Sequence, residues 1–446
     1  MAAHESGSLL ASIALIAGTT IGAGALAMPS ATVEAGFLPS TAALLVSWFY
    51  MTLSGLLIAE LVINRIAQTG RTGVGLLELF RTNLSGPLAT VGSIAYFFLH
   101  YAVMVAYIYG GGANLGMALE SIGLGSLSSI PGFDQLVYTL VVGLFVYTAK
   151  PSLAQGVNNV LVLGTIASFA VIMGLAWNTA DFHALIAPAN QHPEFVVNAF
   201  PILFLAMVFQ NVVPEVVTRL ECDRKKIMTS IIAGTSIPAL LYIAWNGIIL
   251  GNVMSLPEAL NGNLDPIALI QSEGHAGPVL SSAVSIFSEL AITTSLIGFI
   301  YGIINAFSDL TINQSNSILS KETEVREKRV TTPSSKVNDY KAAFFAAALI
   351  PPFALSISDP DIFFNALDYG GAFGVSTLFL VLPPLMIWKV RYGEDQQPLA
   401  AKPMVPFGKI PLASMWKAAG TLILEQGAEK LGIIDWVKNW FTANFS

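Results

Sequence analysis

Residues Gly18 to Pro29 read Gly-Thr-Thr-Ile-Gly-Ala-Gly-Ala-Leu-Ala-Met-Pro, in the middle of an apolar stretch from Ser8 to Val33. Small and hydroxylated residues at such density predict a break in the helix there. Non-helical backbone at bilayer depth is tolerated only where it is buried in protein or lines a cavity. Transporters use such breaks to present backbone N–H and C=O groups to a substrate or an ion. A second run, Phe209-Gln-Asn-Val-Val-Pro-Glu215, interrupts another apolar stretch from Phe195 to Thr218. Gln210 and Asn211 put amides at mid-depth, and Pro214 removes a backbone donor. Ionisable residues inside apolar stretches are functional candidates by default. Here they are Glu60, His100, Glu215, Glu289 and Asp368. Moving a proton needs a group whose pKa can cross the physiological range, a desolvated carboxylate or a histidine. The candidates for ion coupling, in order, are Glu215, which follows the second break, Glu289 and His100. Thr293, Thr294 and Ser295 could contribute to a sodium site, although such hydroxyls also bond their own helix. Glu60 lies near one end of its stretch, where Arg65 is the expected partner.

The elements that must hold these residues are membrane helices. Only 11% of the 446 residues are charged and 54% are hydrophobic, against about 25% charged in a soluble domain. One span takes about 20 apolar residues. Ten stretches qualify: Ser8–Val33, Leu38–Ile63, Pro87–Leu119, Phe133–Ala149, Ser152–Trp177, Phe195–Thr218, Ile227–Gly251, Ala276–Leu310, Tyr340–Ser358 and Asp361–Trp388. The fold class expected is an all-α multi-pass membrane protein. Residues 1–7 form a short N-terminal tail, 8–392 the core and 393–446 a C-terminal linker and helix. Residues 410–427 read as either an interfacial amphipathic helix or an eleventh span. Trp416, Trp436, Trp440 and Phe441 suit an interface. The loop 320–339, with mixed charges and Thr331-Thr-Pro-Ser-Ser335, reads as a cytoplasmic linker.

Charge gives the sidedness. With the N-terminus cytoplasmic, 16 of the 21 basic residues fall in cytoplasmic loops, from Arg65 to Arg391, and the other five in the tail. The opposite loops hold acidic residues, among them Glu34, Asp134, Asp181, Glu194 and Asp359. Such a partition follows the positive-inside rule. Met1–Gly7 carries no Lys or Arg, so no secretory n-region is expected. A bacterial inner membrane is the expected location, with a plastid inner envelope as the alternative.

The breaks fall in spans one and six, corresponding positions of two five-span halves, about 8–177 and 195–388. That is the sequence pointer to an inverted-repeat transporter. Other classes fit poorly. One cysteine, Cys222, excludes an internal disulfide and, with five scattered histidines, supplies no zinc site or nucleophile–base pair. No filter-like repeat indicates a channel, and no Walker motif indicates a pump. No cofactor, nucleic-acid partner or protein partner is indicated.

Gly18–Pro29 resembles the first-span signature of the aromatic amino acid permeases, the tyrosine- and tryptophan-specific transporters of the amino acid–polyamine–organocation superfamily. Gly36-Phe-Leu-Pro39, Leu57-Ile-Ala-Glu-Leu61, Val213-Pro-Glu215 and Asp368-Tyr-Gly-Gly-Ala-Phe-Gly374 fit the same family. The chain is especially similar to the tyrosine-specific-transport-like branch of cyanobacteria and plastids, over residues 8 to 392. The resemblance implies a five-plus-five inverted repeat with broken first and sixth helices, and proton-coupled uptake of aromatic amino acids, tyrosine first. Another amino acid or polyamine carrier of the same fold is the alternative.

An amino acid zwitterion needs donors for its carboxylate and acceptors for its ammonium. The half-helix beginning near Ala25 offers N–H groups and a positive dipole end to the carboxylate. Thr19, Thr20, Ile21, Gly22, Ala23 and Gly24 supply that backbone, with the Thr hydroxyls as further donors. Glycine there keeps space for the ligand; tight helix packing is the competing explanation, and the better one for Gly36 and Gly110–Gly112. Carbonyls near Phe209–Asn211 could take the ammonium, Gln210 or Asn211 a phenol or indole group, and Phe209 an aromatic ring. Span three carries Tyr96, His100, Met104 and Tyr107 on one face. His100 and Tyr101 are expected at a pocket wall or gate.

Overall fold

The computed structural model describes residues 8–22, 24–254, 266–267, 273–322, 340–359, 362–393, 400 and 402–433. Ala23, the N-terminal tail and most of the 320–339 linker lie outside these residues, as do Asp361, Trp436, Trp440 and Phe441. The secondary structure of the described residues is helical. Among the described residues, seven helices are long and apolar enough to cross a membrane, or eight when Leu9–Thr20 and Gly24–Thr32 count as one bent span. Phe133–Thr148 and Lys341–Ser356 are shorter apolar helices. Each of the ten predicted spans coincides with one of these. The protein is an integral membrane protein.

The boundaries differ where polar residues continue the helical winding. Span two runs over Phe37–Thr69, span three over Gly86–Ser121 and span seven over Arg224–Val253. Span eight is a helix from Glu273 to Glu322, twelve residues beyond the apolar stretch read from hydropathy. Span five is Pro151–Trp177.

Span one is two helices, Leu9–Thr20 and Gly24–Thr32, bent by 55°. Span six is Val196–Ala206, then a tight 3₁₀ turn Gln210–Val212, then Val213–Arg219 with Pro214 in its first turn. Proline is tolerated there because its missing N–H would have no helical partner anyway. Span ten is α-helical over Ile362–Tyr369, winds as a π-helix over Gly370–Val381 and returns to α at Leu382–Tyr392. Hydropathy cannot register that change of winding. The Leu382 N–H reaches back five residues to Thr377 O, and Ser376 Oγ donates to Gly371 O, also five back. Pro383 and Pro384, which have no N–H to donate, follow directly.

Two compact units result. The first comprises Met1–Leu99, Met173–Ser281 and Leu367–Ser446; the second comprises His100–Ile172 and Ser282–Ala366. In the first, the Leu9–Thr20 helix packs on span seven. A Cβ on Gly234 would lie 2.7 Å from Ile16 Cβ, so glycine permits that approach. The Val196–Ala206 helix packs against Gly24–Thr32, span two and the π-helix. A Cβ on Gly371 would overlap the Pro201 carbonyl.

The tail helix Lys409–Lys430 buries Leu412, Met415, Ala419 and Leu422 and packs on the π-helix and on Leu382–Tyr392. Trp416 Nε1 donates to Val381 O at 3.1 Å, and Lys430 pairs with Asp368. This helix is not among those apolar enough to cross a membrane.

In the second unit, span four packs on span nine. The three consecutive glycines of span three, Gly110–Gly112, sit against close neighbours here. A Cβ on Gly110 would meet Ile292 and Phe363, one on Gly111 the Tyr138 ring and one on Gly112 the backbone of Gln135. Close packing accounts for that run, as it does for Gly36. Gly36 has a φ of 84° and faces the Asn190 carbonyl.

Candidate functional site

The two broken spans meet within the first unit. The Leu9–Thr20 helix touches both the Gln210–Val212 turn and Val213–Arg219. Gly24 sets the closest approach: a Cβ there would lie 2.8 Å from Ala206 Cα. Gly24 is therefore required by helix packing, the competing explanation, whatever else it serves.

A broken helix leaves carbonyls and N–H groups without their usual partners, and in a membrane each must be satisfied internally. Span seven supplies the partners. Tyr242 Oη donates to Thr20 O at 2.7 Å and receives the Gly22 N–H at 3.4 Å. One turn on, Trp245 Nε1 donates to Ala25 O at 2.8 Å. Pro29 lies four residues after Ala25, so the helix has no N–H for that carbonyl. Asn246 Oδ1 then accepts from Thr32 Oγ1 at 2.8 Å. Both aromatic side chains are fully buried. Thus both sides of the first break are clasped by one face of span seven.

Thr19 and Thr20 do not offer free hydroxyl protons. Their Oγ1 atoms donate to Leu15 O and Ile16 O, each at 2.8 Å. This corrects their expected role as extra donors: a threonine in a helix reaches the carbonyl one turn back. Each oxygen remains able to accept. Thr19, Ile21 and Gly22 are partly exposed; Thr20 and Gly24 are buried.

The second break is stabilised differently. Gln210 is fully buried. Its Oε1 accepts the Phe209 N–H at 3.0 Å and its Nε2 donates to Met51 O at 3.2 Å. The amide oxygen thus serves an N–H at the break, and its NH2 ties the turn to span two. Phe209 is fully buried, its ring where a Cβ on Gly55 would stand. Asn211 is exposed.

The ionisable candidates separate clearly. Glu215 is half exposed and pairs with Arg219 one turn along its own helix. Glu60 is completely buried, and its partner is not Arg65, which pairs with Glu78 at 2.9 Å. Instead Arg391 grips Glu60 in a two-pronged contact at 2.7 and 2.6 Å, and the Met404 N–H adds a third bond at 2.8 Å. The reason is burial: a carboxylate removed from water needs several charge-assisted bonds.

In the second unit, Glu289 accepts from Asn114 Nδ2 at 3.3 Å and from Thr293 Oγ1 at 3.2 Å. Asn114 also donates to Ser288 Oγ at 3.0 Å, and Tyr138 Oη lies 2.9 Å from Thr293 Oγ1. Spans three, four and eight thus share a polar network around one carboxylate. Thr294 bonds its own helix at Ala291 O. His100 and Tyr107, two turns apart, both place their rings edge-on to Phe299, at 5.1 and 5.8 Å. Tyr101 Oη donates to Ala347 O at 2.6 Å. Pro351 stands four residues after Ala347, so this hydroxyl replaces the N–H that proline lacks.

Tyr242, Trp245, Asn114 and Tyr138 were not singled out from the sequence. A weak signal existed for two of them. Pro29 inside a span announces an orphan carbonyl, and Tyr242-Ile-Ala-Trp-Asn246 places polar-tipped aromatics on one helical face.

Among the described residues, ten apolar spans with paired breaks at the first and sixth make a multi-pass membrane fold of the inverted-repeat transporter type. The fold matches MhsT solved in complex with L-phenylalanine, with a TM-score of 0.58, 12% identity and coverage of 94% of this chain and 97% of that one. The chain belongs to the tryptophan/tyrosine permease family, whose model matches residues 5–410. "Tyrosine-specific transport system 1" of Haemophilus influenzae is 28% identical over 86% of this chain and 88% of its own length. A "Tryptophan-specific transport protein" of the same organism is 27% identical over 87% and 89%. The "Low affinity tryptophan permease" of Escherichia coli is 23% identical over 69% and 74%.

Proposed function

We propose that this permease is a secondary active transporter that carries an aromatic amino acid, tyrosine first, in symport with a proton. The observation that carries the reading is the break at Thr20–Gly24. It places part-exposed backbone at mid-span between two half-helices, and Tyr242 and Trp245 hold its geometry. The Gly24–Thr32 helix points its positive end at that gap, as a carboxylate requires. The substrate named for the relatives, tyrosine or tryptophan, supports the aromatic class.

For coupling, the surroundings favour Glu289 over Glu215. Glu215 is solvated and already neutralised by Arg219. Among the described residues, Glu289 is bonded by neutral groups, Asn114 and Thr293. A carboxylate with neutral partners can gain and lose a proton without breaking an ion pair. The distribution of Lys and Arg supports a cytoplasmic N-terminus; the bacterial relatives support a bacterial inner membrane, with a plastid inner envelope as the alternative.

The test is uptake of labelled tyrosine into proteoliposomes under an imposed inward proton gradient, without sodium. Gradient-driven accumulation that tryptophan and phenylalanine inhibit is the expected result. Accumulation that needs sodium would overturn the proton assignment. Indifference to all three amino acids would overturn the substrate class and favour another amino acid or a polyamine.

A further inference from the structure

Spans four and nine, Phe133–Thr148 and Lys341–Ser356, are the two short apolar helices, of 16 residues each. Sixteen residues rise ~24 Å, while the hydrocarbon core is ~30 Å thick. A short helix is matched by local thinning of the bilayer, which brings lipid headgroups down to its ends.

Between these two helices runs a groove of about 310 Å³. Leu140, Gly143 and Leu144 form one wall; Phe345, Leu349 and Ile350 form the other. Leu140, Leu144 and Ile350 are 59%, 62% and 62% exposed, so the groove opens outward along its length. Deeper in it stands Thr139, whose buried Oγ1 has no hydrogen-bond partner.

One end of the groove is cationic. Lys341 Nζ donates to Tyr147 O at 2.7 Å and lies 4.6 Å over the Tyr147 ring. An ammonium carries three donors, so two remain for an anion. Lys150 follows the end of span four by two residues.

We infer that this groove binds one acyl chain of an anionic phospholipid of the surrounding bilayer, with its phosphate held by Lys341 and Lys150. The apolar trough matches hydrocarbon, and the lysines at one mouth match a headgroup of net negative charge. A free anion gains nothing from the trough, and a zwitterionic lipid gains little from the lysines.

The experiment uses the full chain purified in mild detergent. Thermal unfolding is followed on adding phosphatidylglycerol, phosphatidylcholine or inorganic phosphate, and native mass spectrometry counts retained lipid. Phosphatidylglycerol raises the midpoint by several degrees, and one such lipid is retained; phosphatidylcholine and phosphate do neither. Lys341→Gln combined with Lys150→Gln removes the increment, measured from that variant's own baseline. So does Ala346→Phe, which fills the groove from an exposed position. An equal increment from phosphatidylcholine would overturn the headgroup assignment. An increment from phosphate alone would overturn the lipid, and no increment, or one unchanged in both variants, would overturn the site.

Discussion

Trp245 donates its indole N–H to the Ala25 carbonyl at 2.8 Å, the carbonyl that Pro29 leaves without a partner in its own helix. Pairing an unsatisfied carbonyl with an aromatic donor from span seven lets the second half of span one keep both its proline and its break. Trp245→Phe removes the donor and leaves the carbonyl buried and unpaired, at a cost of about 1–3 kcal/mol. The expected outcome is a lower unfolding temperature in detergent and weaker tyrosine binding, because the gap at Gly22 loses a support. Adding Pro29→Ala returns an N–H to the helix and restores most of the stability. A double-mutant cycle on unfolding temperature reads this coupling.

The same relation recurs in the second unit with opposite consequences for transport. Tyr101 Oη serves the Ala347 carbonyl that Pro351 orphans. Tyr101→Phe therefore destabilises by about 0.5–1.5 kcal/mol, and Pro351→Ala rescues it. The tyrosine KM stays within about twofold of wild type, since that hydroxyl is engaged with backbone. A tenfold rise in KM with unchanged stability would instead assign Tyr101 to the pocket wall.

The spans themselves were legible because the bilayer imposes length and hydropathy on every one of them. The breaks were legible too, from Gly22, Gly24 and Pro214, which unsettle a helix by well-understood means. The partners of the breaks were not. Tyr242 lies 222 positions from Thr20 and Arg391 lies 331 from Glu60, and nothing local links them. An amide such as Gln210 reads identically whether it bonds a ligand or backbone; its contacts with Phe209 N–H and Met51 O appear only in the folded chain. Likewise Gly24 looks the same whether it clears space for a ligand or for Ala206. Glu215 follows a break in sequence, and only the folded chain shows that it is half exposed and paired with Arg219.

The Glu60–Arg391 pair ties span two to the end of span ten and, through the Met404 N–H, to the chain beyond it. Asn64, one turn along, accepts the Ala400 N–H at 3.0 Å. Glu60→Gln leaves a buried guanidinium without its counter-charge, expected to cost about 3–5 kcal/mol. Replacing both partners with apolar residues of similar size costs less, because no charge is then stranded. Denaturation of the purified variants checks the order. If the double variant is the less stable, the carboxylate's bond to Met404 outweighs the ion pair.

Glu289 and Glu215 make opposite predictions for coupling. Glu215→Gln removes a surface pair worth little, so proton-driven uptake stays near wild type. Glu289→Gln keeps the size of the side chain: its carbonyl oxygen can still accept from Asn114, and its NH2 can donate to the Thr293 hydroxyl oxygen. The amide cannot take up a proton. Net uptake driven by a proton gradient is therefore expected to fall at least tenfold, whereas exchange of external for internal tyrosine, which needs no net proton movement, persists. Counterflow and gradient-driven uptake measured on the same vesicles separate the two. Loss of both activities would make Glu289 a structural member of its network, and loss of coupling in Glu215→Gln alone would return the role to span six.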